Sequence, residues 1–550
     1  MKIESRKRSG AKALIESLER AGAEVVFGYP GSNVVNLFDH IPEAGFRFVL
    51  GRHEQGCVHM ADGYARSLGR PGVVIVTSGP GATNAITGLA TANVDGVPLV
   101  LVSGQVPLSQ IGTDAFQEAD MSGICRAVTK HSFLVQHADE IPRTVAEAFY
   151  IATHGKPGAV VIDLPRNVQE ELTEAKYPER VSLRSYHPEC AATPHEVARL
   201  AKYLNEAKKP VIYAGGGVIS SGAASDLQAI ARRADIPVVT TLMGVGSYPT
   251  DDRLFAGMGG IYGAPRAQAA LEGADFILAL GVRFSDRVTD GAKPKKAVKI
   301  VHVDCDPSSI DKNVMVTLGI TADIKDLLTT VSSRIRPASH ADWISSLSTL
   351  ETVKPAYQAS VGQSINRKIE KSNNISTLSP ALVIDAIATA VKGEAILVTD
   401  VGQHQIFAAR RFPHREPRRF LTSGGMGTMG FGIPAAIGAA IARPDLKVVA
   451  VIGDGGAQMT AEELLVAVQE KLPIVFVVMN NSSLGMMRQM RPGGFVGDFT
   501  NPDFTLLAKA YGMRSVRVSK LDRLTSALKQ AVNSKGPMLI EVMIDGEVTV

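Results

Sequence analysis

The span from Lys447 to Asn481 constrains the fold more than any other part of the chain. Lys447 to Ile452 predicts a short, β-branched, buried strand. Gly453-Asp454-Gly455 closes it with a turn that lets backbone approach a ligand. Thr460 reads as the start of a helix, with Glu463 three residues on completing a capping box. Leu464, Leu465, Val468 and Leu472 fall on one face of that helix. Pro473 ends it, and Ile474 to Met479 is a second apolar strand. A β-α-β unit makes its strands parallel, and both strands acquire their polar residues at the carboxyl edge. The spacing therefore predicts one crevice that receives Asp454 and Asn481, 27 positions apart.

Those two residues are hard oxygen donors. Mg²⁺ prefers octahedral oxygen ligands and takes only a few from protein, leaving the rest to phosphate and water. A carboxylate, an amide oxygen and a nearby backbone carbonyl meet that need, so the pair reads as a metal clamp for a diphosphate. Asp and Asn are also ordinary turn residues. It is their pairing on matching strand ends that favours the clamp.

Around this unit the chain of 550 residues is long enough for three or four domains. With 45% hydrophobic and 20% charged residues it is globular, and a net charge of +4 without a basic block excludes a nucleic-acid tracker. Cys57, Cys125, Cys190 and Cys305 form no C-x-x-C pair, which suits a reducing, cytoplasmic setting and no zinc site. No apolar run is long enough to span a membrane, and no apolar stretch follows the basic residues near Met1, so no secretory signal is read.

Strand and helix patterns alternate throughout, which predicts an α/β chain of three doubly wound parallel-sheet domains. The first is read over 1–175, with strands at Val25 to Phe27, Phe46 to Leu50, Val73 to Thr77, Leu99 to Val102 and Ala159 to Ile162. The second is read over 190–340, with strands at Val211 to Ala214, Val238 to Thr240, Phe276 to Leu280 and Lys299 to Val303. The third is read over 375–550. Polar stretches at about 170–194 and 337–379 read as linkers. Domains one and three share length and alternation, as two copies of one fold would.

Two runs in the first domain carry chemistry. Arg52-His53-Glu54-Gln55-Gly56 follows a strand, which puts Glu54 where parallel-sheet enzymes place reactive groups; a solvated loop glutamate is the plainer reading. Thr77 to Asn84 is a strand, a Gly/Pro turn and a helix start. It serves equally as a phosphate loop or as a tight turn.

At this point several runs resemble the catalytic subunit of the acetohydroxyacid (acetolactate) synthase family of thiamine-diphosphate enzymes. They include Phe27 to Gly31, Arg52 to Gly56, Met60 to Arg66, Thr77 to Asn84, Gly104 to Pro107 and Gly112 to Asp120. Val401 to Gln405, Thr422 to Gly430 and the metal motif continue the likeness, which is collinear over nearly the whole chain.

The resemblance implies thiamine diphosphate, Mg²⁺ and FAD as cofactors. It casts the first domain as pyrimidine-binding, the central one as FAD-binding-like and the third as diphosphate- and Mg-binding. It makes Glu54 the group that activates the cofactor. Asp454, Asn481 and the backbone carbonyl of Ser483 are implied as metal ligands. Val401, Gly402, Gln403, His404, Gly455, Gly456, Gly485 and Met486 surround the diphosphate, with Pro80 also against the cofactor. Gly427 offers a carbonyl to the aminopyrimidine and Met429 wedges the cofactor into a V. In the central domain, Arg283, Phe284, Asp286, Arg287 and Asp304 are implied flavin contacts, the flavin being structural. Phe116, Gln117, Arg166 and Met490 line the substrate side.

The implied reaction decarboxylates pyruvate and transfers the hydroxyethyl unit to a second 2-keto acid, in branched-chain amino-acid biosynthesis. The implied partners are small 2-keto acids, a homodimer or tetramer of this chain, and optionally a separate small regulatory subunit. The alternatives are another thiamine-diphosphate carboligase or decarboxylase, a pyruvate oxidase, or a non-catalytic paralogue. Intact Glu54, Asp454 and Asn481 argue against the paralogue. Glu54 also argues against a glyoxylate carboligase.

Some positions depart from the family. Gly31-Ser32-Asn33 replaces the usual Gly-Gly after Tyr-Pro. Arg166 stands for a lysine, and is not an equivalent donor. Met490 stands where a tryptophan commonly favours 2-ketobutyrate, and the loop from Arg491 to Thr500 is read as shortened.

Overall fold

The computed structural model describes residues 7–291, 297–350, 377–491 and 497–550. Its strands form three six-stranded sheets. The first contains β1 (Val25–Tyr29), β2 (Arg47–Leu50), β3 (Gly72–Val76), β4 (Leu99–Gln105), β5 (His131–Leu134) and β6 (Ala159–Pro165). Their order across the sheet is β2-β1-β3-β4-β6-β5, with every pairing parallel.

The second sheet contains β7 (Pro210–Ala214), β8 (Val238–Thr240), β9 (Phe255–Met258), β10 (Phe276–Leu280), β11 (Lys299–Asp304) and β12 (Leu318–Thr321). Its order is β9-β8-β7-β10-β11-β12, again parallel. This is the doubly wound order of a dinucleotide-binding sheet. Both faces are covered. Ile212 and Leu278 enter one core and Val211 and Ile277 the other, as their alternation along each strand requires.

The third sheet contains β13 (Ala395–Thr399), β14 (Phe420–Leu421), β15 (Lys447–Gly453), β16 (Ile474–Asn480), β17 (Arg514–Val518) and β18 (Met538–Met543). Its order is β14-β13-β15-β16-β18-β17. Renumbered within its own sheet, that order is identical to the first. The expectation of two copies of one fold therefore holds at the level of topology.

In the first two sheets the reading from sequence omitted β5, β9 and β12, and in the third it named only β15 and β16. Each of the three omitted strands lies at the edge of its sheet. β5 is half-exposed along its length and β12 alternates buried with half-buried residues, so the apolar run that marks an inner strand is diluted. The first polar stretch also contains structure: Leu172–Thr173 pairs antiparallel with Arg8–Ser9. In the second, Ala341–Ser348 is a helix that buries Trp343, while 351–376 lie outside the described residues.

A second correction concerns the segment after β15. The helix starts at Asp454 and runs to Met459, and a 3-10 turn over Ala461–Glu463 precedes a helix over Leu464–Gln469. Thr460 forms no capping box. Its hydroxyl donates to the Gly430 carbonyl at 2.9 Å, and Glu463 turns to other amides. The buried residues of the later helix are Leu464, Val466 and Ala467, while Leu465 and Val468 are only half-buried.

By their contacts the residues gather into two compact units. One draws on Met1–His187, Gly425–Asp445 and Gly456–Ile474, the other on Pro188–Gly424, Leu446–Gly455 and Val475–Val550. Within the first, the helix Glu54–Leu68 lies against Gly432–Ala442, a helix of small and branched apolar residues buried over most of its length. The approach is backbone to backbone. A Cβ at Gly438 would overlap the Met60 carbonyl, and one at Gly63 would overlap that of Ala435. Gly438→Ala is expected to lower stability by about 1–3 kcal/mol, because neither backbone can yield cheaply. Urea unfolding checks this, and an unchanged midpoint would contradict the packing.

Candidate active site

In the third sheet the strand order reverses between β13 and β15, so their carboxyl ends open the crevice where doubly wound sheets take ligands. β15 delivers Asp454, which is buried. Its Oδ1 accepts from the Gly455 amide at 3.0 Å, and its Oδ2 from the Ser482 amide at 2.7 Å and the Asn501 side chain at 2.9 Å. Burial pushes the Asp454 pKa up, and these hydrogen bonds pull against that. A cation at this carboxylate would favour its charged form.

β16 ends in two asparagines with different tasks. Asn480 is buried and donates to Glu541 Oε1 at 2.7 Å. Asn481 is half-buried, and its Oδ1 accepts from the Ser483 amide at 3.1 Å. Between them and the next helix, Ser482 adopts a left-handed backbone with φ 53°. Gly485 leaves room for the Gln403 and Asn481 side chains; a Cβ there would overlap Gln403 Oε1 and lie 3.1 Å from Asn481 Nδ2.

The donor set fits Mg²⁺ and a diphosphate. Among the described residues no group of three or more His, Cys, Asp or Glu side chains converges on a metal position. A metal held here therefore needs phosphate or water oxygens as well, which is the Mg²⁺ pattern. His404 is buried beside Gly402 and Gly453, at the ends of both strands of the switch point. Burial lowers its pKa to about 4, so the ring is neutral. Its Nε2 and the Ser483 hydroxyl are buried without a hydrogen-bond partner in the described structure, as expected of groups that await a polar ligand.

Val401 donates its amide to Asp400 Oδ1 at 2.8 Å. Gln403 donates to Gln489 at 2.8 Å. Gly455 and Gly456 open the Asp454–Met459 helix. Met486 receives the Tyr262 hydroxyl on its sulfur at 3.2 Å.

In the first unit Glu54 is the first residue of the helix Glu54–Leu68, directly after the N-cap His53. It is half-buried and accepts from the Asn84 side chain at 3.0 Å. The Thr77 to Asn84 turn lies beside it: a Cβ on Gly81 would sit 3.3 Å from Glu54 Oε1. Pro80 starts the short helix of that turn behind Gly79, whose φ of 58° suits glycine. Gln117 is also left-handed, lies against Gly79, and accepts from the Ser32 hydroxyl at 2.9 Å. Glu54, Pro80, Gln117 and the departing Ser32 are thus brought together.

The same unit holds Gly427, left-handed at φ 65°, and the half-buried Met429. Their stretch is tied down at both sides. The Gly425 amide donates to Asp95 at 2.7 Å, and the Thr428 and Thr91 hydroxyls share a bond of 2.7 Å. Phe116 is 84% exposed, so this aromatic is free to meet a ligand. Arg166 is exposed and pairs with Glu170 along its own helix at 3.3 Å. Met490 ends the helix Gly485–Met490 and is exposed; 492–496 of the following loop lie outside the described residues.

The second sheet reverses between β7 and β10. There Gly215 and Gly217 lie against Gly281 so closely that a Cβ on either would overlap it or its carbonyl. Phe284 is buried and left-handed at φ 48°, edge-on to His302 and Tyr213. Asp304 ends β11 and accepts from the Asp306 amide at 2.9 Å. Asp286 and Arg287 are exposed and paired at 3.7 Å, and Arg283 is half-buried. The Tyr213 and Thr240 hydroxyls are buried without a hydrogen-bond partner in the described structure, at or near the carboxyl ends of β7 and β8. A glycine-lined switch point with spare hydroxyls suits a nucleotide-bearing cofactor such as FAD.

Sequence reasoning missed Asn501, Asn84 and Glu463. Asn501 falls in no run read from sequence, Asn84 only closes the Thr77 to Asn84 run, and Glu463 reads as a cap. Each acts through partners remote in sequence, which local spacing does not reveal.

Three family models match the chain. They are the N-terminal binding domain of thiamine pyrophosphate enzymes over residues 8–124, the central domain over 197–331 and the C-terminal binding domain over 400–542. The chain is 42% identical to the acetolactate synthase large subunit of Haemophilus influenzae, over 98% of this chain and 95% of the relative. It is 41% identical to the isozyme 3 large subunit of Escherichia coli, with the same coverage. To the acetolactate synthase large subunit of Lactococcus lactis it is 42% identical, over 98% of this chain and 92% of the relative. Among the described residues no helix is long and apolar enough to cross a membrane.

Proposed function

The chain belongs to the thiamine pyrophosphate enzymes and, within them, to the acetolactate synthase large subunits, and from that premise we propose how its residues perform the reaction. It is an acetolactate synthase of branched-chain amino-acid biosynthesis. Pyruvate loses CO₂ and its remaining two-carbon unit joins a second 2-keto acid. Pyruvate as acceptor gives 2-acetolactate; 2-ketobutyrate gives 2-aceto-2-hydroxybutyrate. Thiamine diphosphate, when bound, supplies the nucleophilic carbon and the electron sink.

The protein's part is placement and proton movement. Glu54 holds and exchanges a proton at the aminopyrimidine ring. The Gly427 carbonyl and the Met429 side chain hold that ring's orientation, with Pro80 nearby. Asp454, Asn481 and the Ser483 carbonyl hold Mg²⁺ at the other end. Val401, Gly402, Gln403, His404, Gly455, Gly456, Gly485 and Met486 ring the diphosphate. Arg283, Phe284, Asp286, Arg287 and Asp304 hold FAD in a structural role. Phe116, Gln117, Arg166 and Met490 line the substrate side.

These assignments go with domains at 1–175, 190–340 and 375–550, a homodimer as the minimum active unit, a tetramer as its extension, and a cytoplasmic setting. A separate small regulatory subunit is a further partner to be sought. The observation that carries the reading is that Asp454 follows β15, at the switch point of the third sheet, and Asn481 follows the neighbouring strand β16.

The direct test combines the protein with thiamine diphosphate, Mg²⁺, FAD and pyruvate and assays acetolactate. Steady flavin reduction by pyruvate without acetolactate would mark an oxidase instead.

Met490 bears on acceptor choice. A flexible thioether discriminates one methylene weakly, and such discrimination is worth about 1–3 kcal/mol at most. In competition between pyruvate and 2-ketobutyrate the expected preference is small, and Met490→Trp is expected to move it toward 2-ketobutyrate. Strong selection for 2-ketobutyrate by the unaltered protein would refute this.

A further inference from the structure

Glu463 is fully buried, in the 3-10 turn Ala461–Glu463, yet no cationic side chain neutralises it in an ion pair of the described structure. Its carboxylate instead faces backbone. Oε1 accepts from the Arg52 amide at 3.2 Å and the His53 amide at 3.0 Å, and Oε2 from the Arg52 amide at 3.2 Å. Those are the two amides immediately before Glu54. A Cβ on Gly56 would overlap Glu463 Oε1, so position 56 is glycine where the carboxylate needs room.

The grip is reinforced along the same segment. The Arg52 guanidinium donates to Gln469 Oε1 at 2.7 Å and to the Leu50 and Gly51 carbonyls at 2.9 Å and 3.0 Å. Arg47 pairs with Glu470. His53 meanwhile uses its own ring to cap the Gln55 amide at 3.1 Å. The local cap therefore orients the helix from within, while Glu463 fixes the turn that enters it.

We propose that Glu463 is a positioning residue for Glu54: its carboxylate pins the Arg52–His53 turn and thereby sets where the Glu54 carboxyl points. The proposal rests on the assignment of Glu54 to cofactor activation. Burial pushes the Glu463 pKa up to about 8, and the bonds from the Arg52 and His53 amides pull against that. Charged or neutral, a carboxyl group keeps acceptor capacity for those amides, at the start of the Glu54–Leu68 helix. A glutamine at 463 would offer one oxygen acceptor and set an N–H₂ group against amide donors.

The experiment measures exchange of the thiazolium C2 proton on the holoenzyme by acid quench and NMR, together with the Kd for thiamine diphosphate. Three variants are compared with the unaltered protein: Glu54→Gln, Glu463→Gln and Glu463→Asp. Glu463→Gln is expected to slow exchange by about 10- to 100-fold, the scale of a misplacement of roughly 1 Å, with the cofactor Kd changed less than threefold. Glu463→Asp keeps a carboxyl group and is expected to recover part of the rate. Normal exchange in Glu463→Gln, with exchange lost in Glu54→Gln, would overturn the positioning role alone. Normal exchange in Glu54→Gln would overturn the assignment beneath it as well. Should Glu463→Gln fail to fold, Glu463→Asp decides: slowed exchange supports the role and an unaltered rate overturns it.

Discussion

Glu54→Gln is expected to slow activation of the cofactor by about 10²- to 10⁴-fold, the range of a lost general acid–base group. The substitution is nearly isosteric. It can keep one oxygen in place to accept from Asn84, which bonds Glu54 at 3.0 Å, but it removes the exchangeable proton. The helix start is not at risk, because His53 caps the Gln55 amide and Glu463 holds the preceding amides. Stability and cofactor affinity should therefore stay near their original values while kcat falls. C2-proton exchange, kcat and thermal unfolding together check this. Unchanged turnover would refute the role, and a collapse of the melting temperature would show a structural one.

The second large effect is expected at Asp454. Removing an outer partner of a metal ligand typically costs 10- to 100-fold in affinity, so removing the ligand itself in Asp454→Ala should weaken Mg²⁺ retention by more than about 100-fold. Cofactor titrations at several Mg²⁺ concentrations measure it. The apoprotein should also suffer, because the amides of Gly455 and Ser482 and the side chain of Asn501 all donate to this carboxylate. Each donor left buried and unpaired costs about 1–3 kcal/mol. Asp454→Asn separates the two effects: it preserves volume and one acceptor but not the charge. Wild-type Mg²⁺ affinity in Asp454→Asn would contradict the metal assignment.

The inner strands of the first two sheets were legible because strands covered on both faces are written as unbroken apolar, largely β-branched runs, as in Val73 to Val76. Apart from β2, the edge strands were not. His131–Leu134 is half-wet, and Phe420–Leu421 is only two residues long. The same division holds in the site. Asp454, Asn481 and Glu54 follow strand ends whose neighbouring glycines and polar residues advertise them. Glu463 and Asn501 work on groups 410 and 47 residues away in sequence, and periodicity carries no information at that range. Glu463 was read as a helix cap because Thr-x-x-Glu is a genuine local solution. The protein spends that side chain on a tertiary contact instead.

The composition of the first compact unit has a consequence for synthesis. That unit needs Gly425–Asp445 and Gly456–Ile474 as well as the N-terminal Met1–His187. Until the ribosome has passed residue 442 of 550, the helix carrying Glu54 lacks the Gly432–Ala442 helix that covers it, and until it has passed residue 463 the amides before Glu54 lack Glu463. The catalytic end made first is thus finished almost last. The nascent chain must carry a half-built, apolar helix face through most of translation. That is a long exposure to aggregation, and it makes holding by a chaperone more valuable for this chain than for one whose domains close in the order they are made.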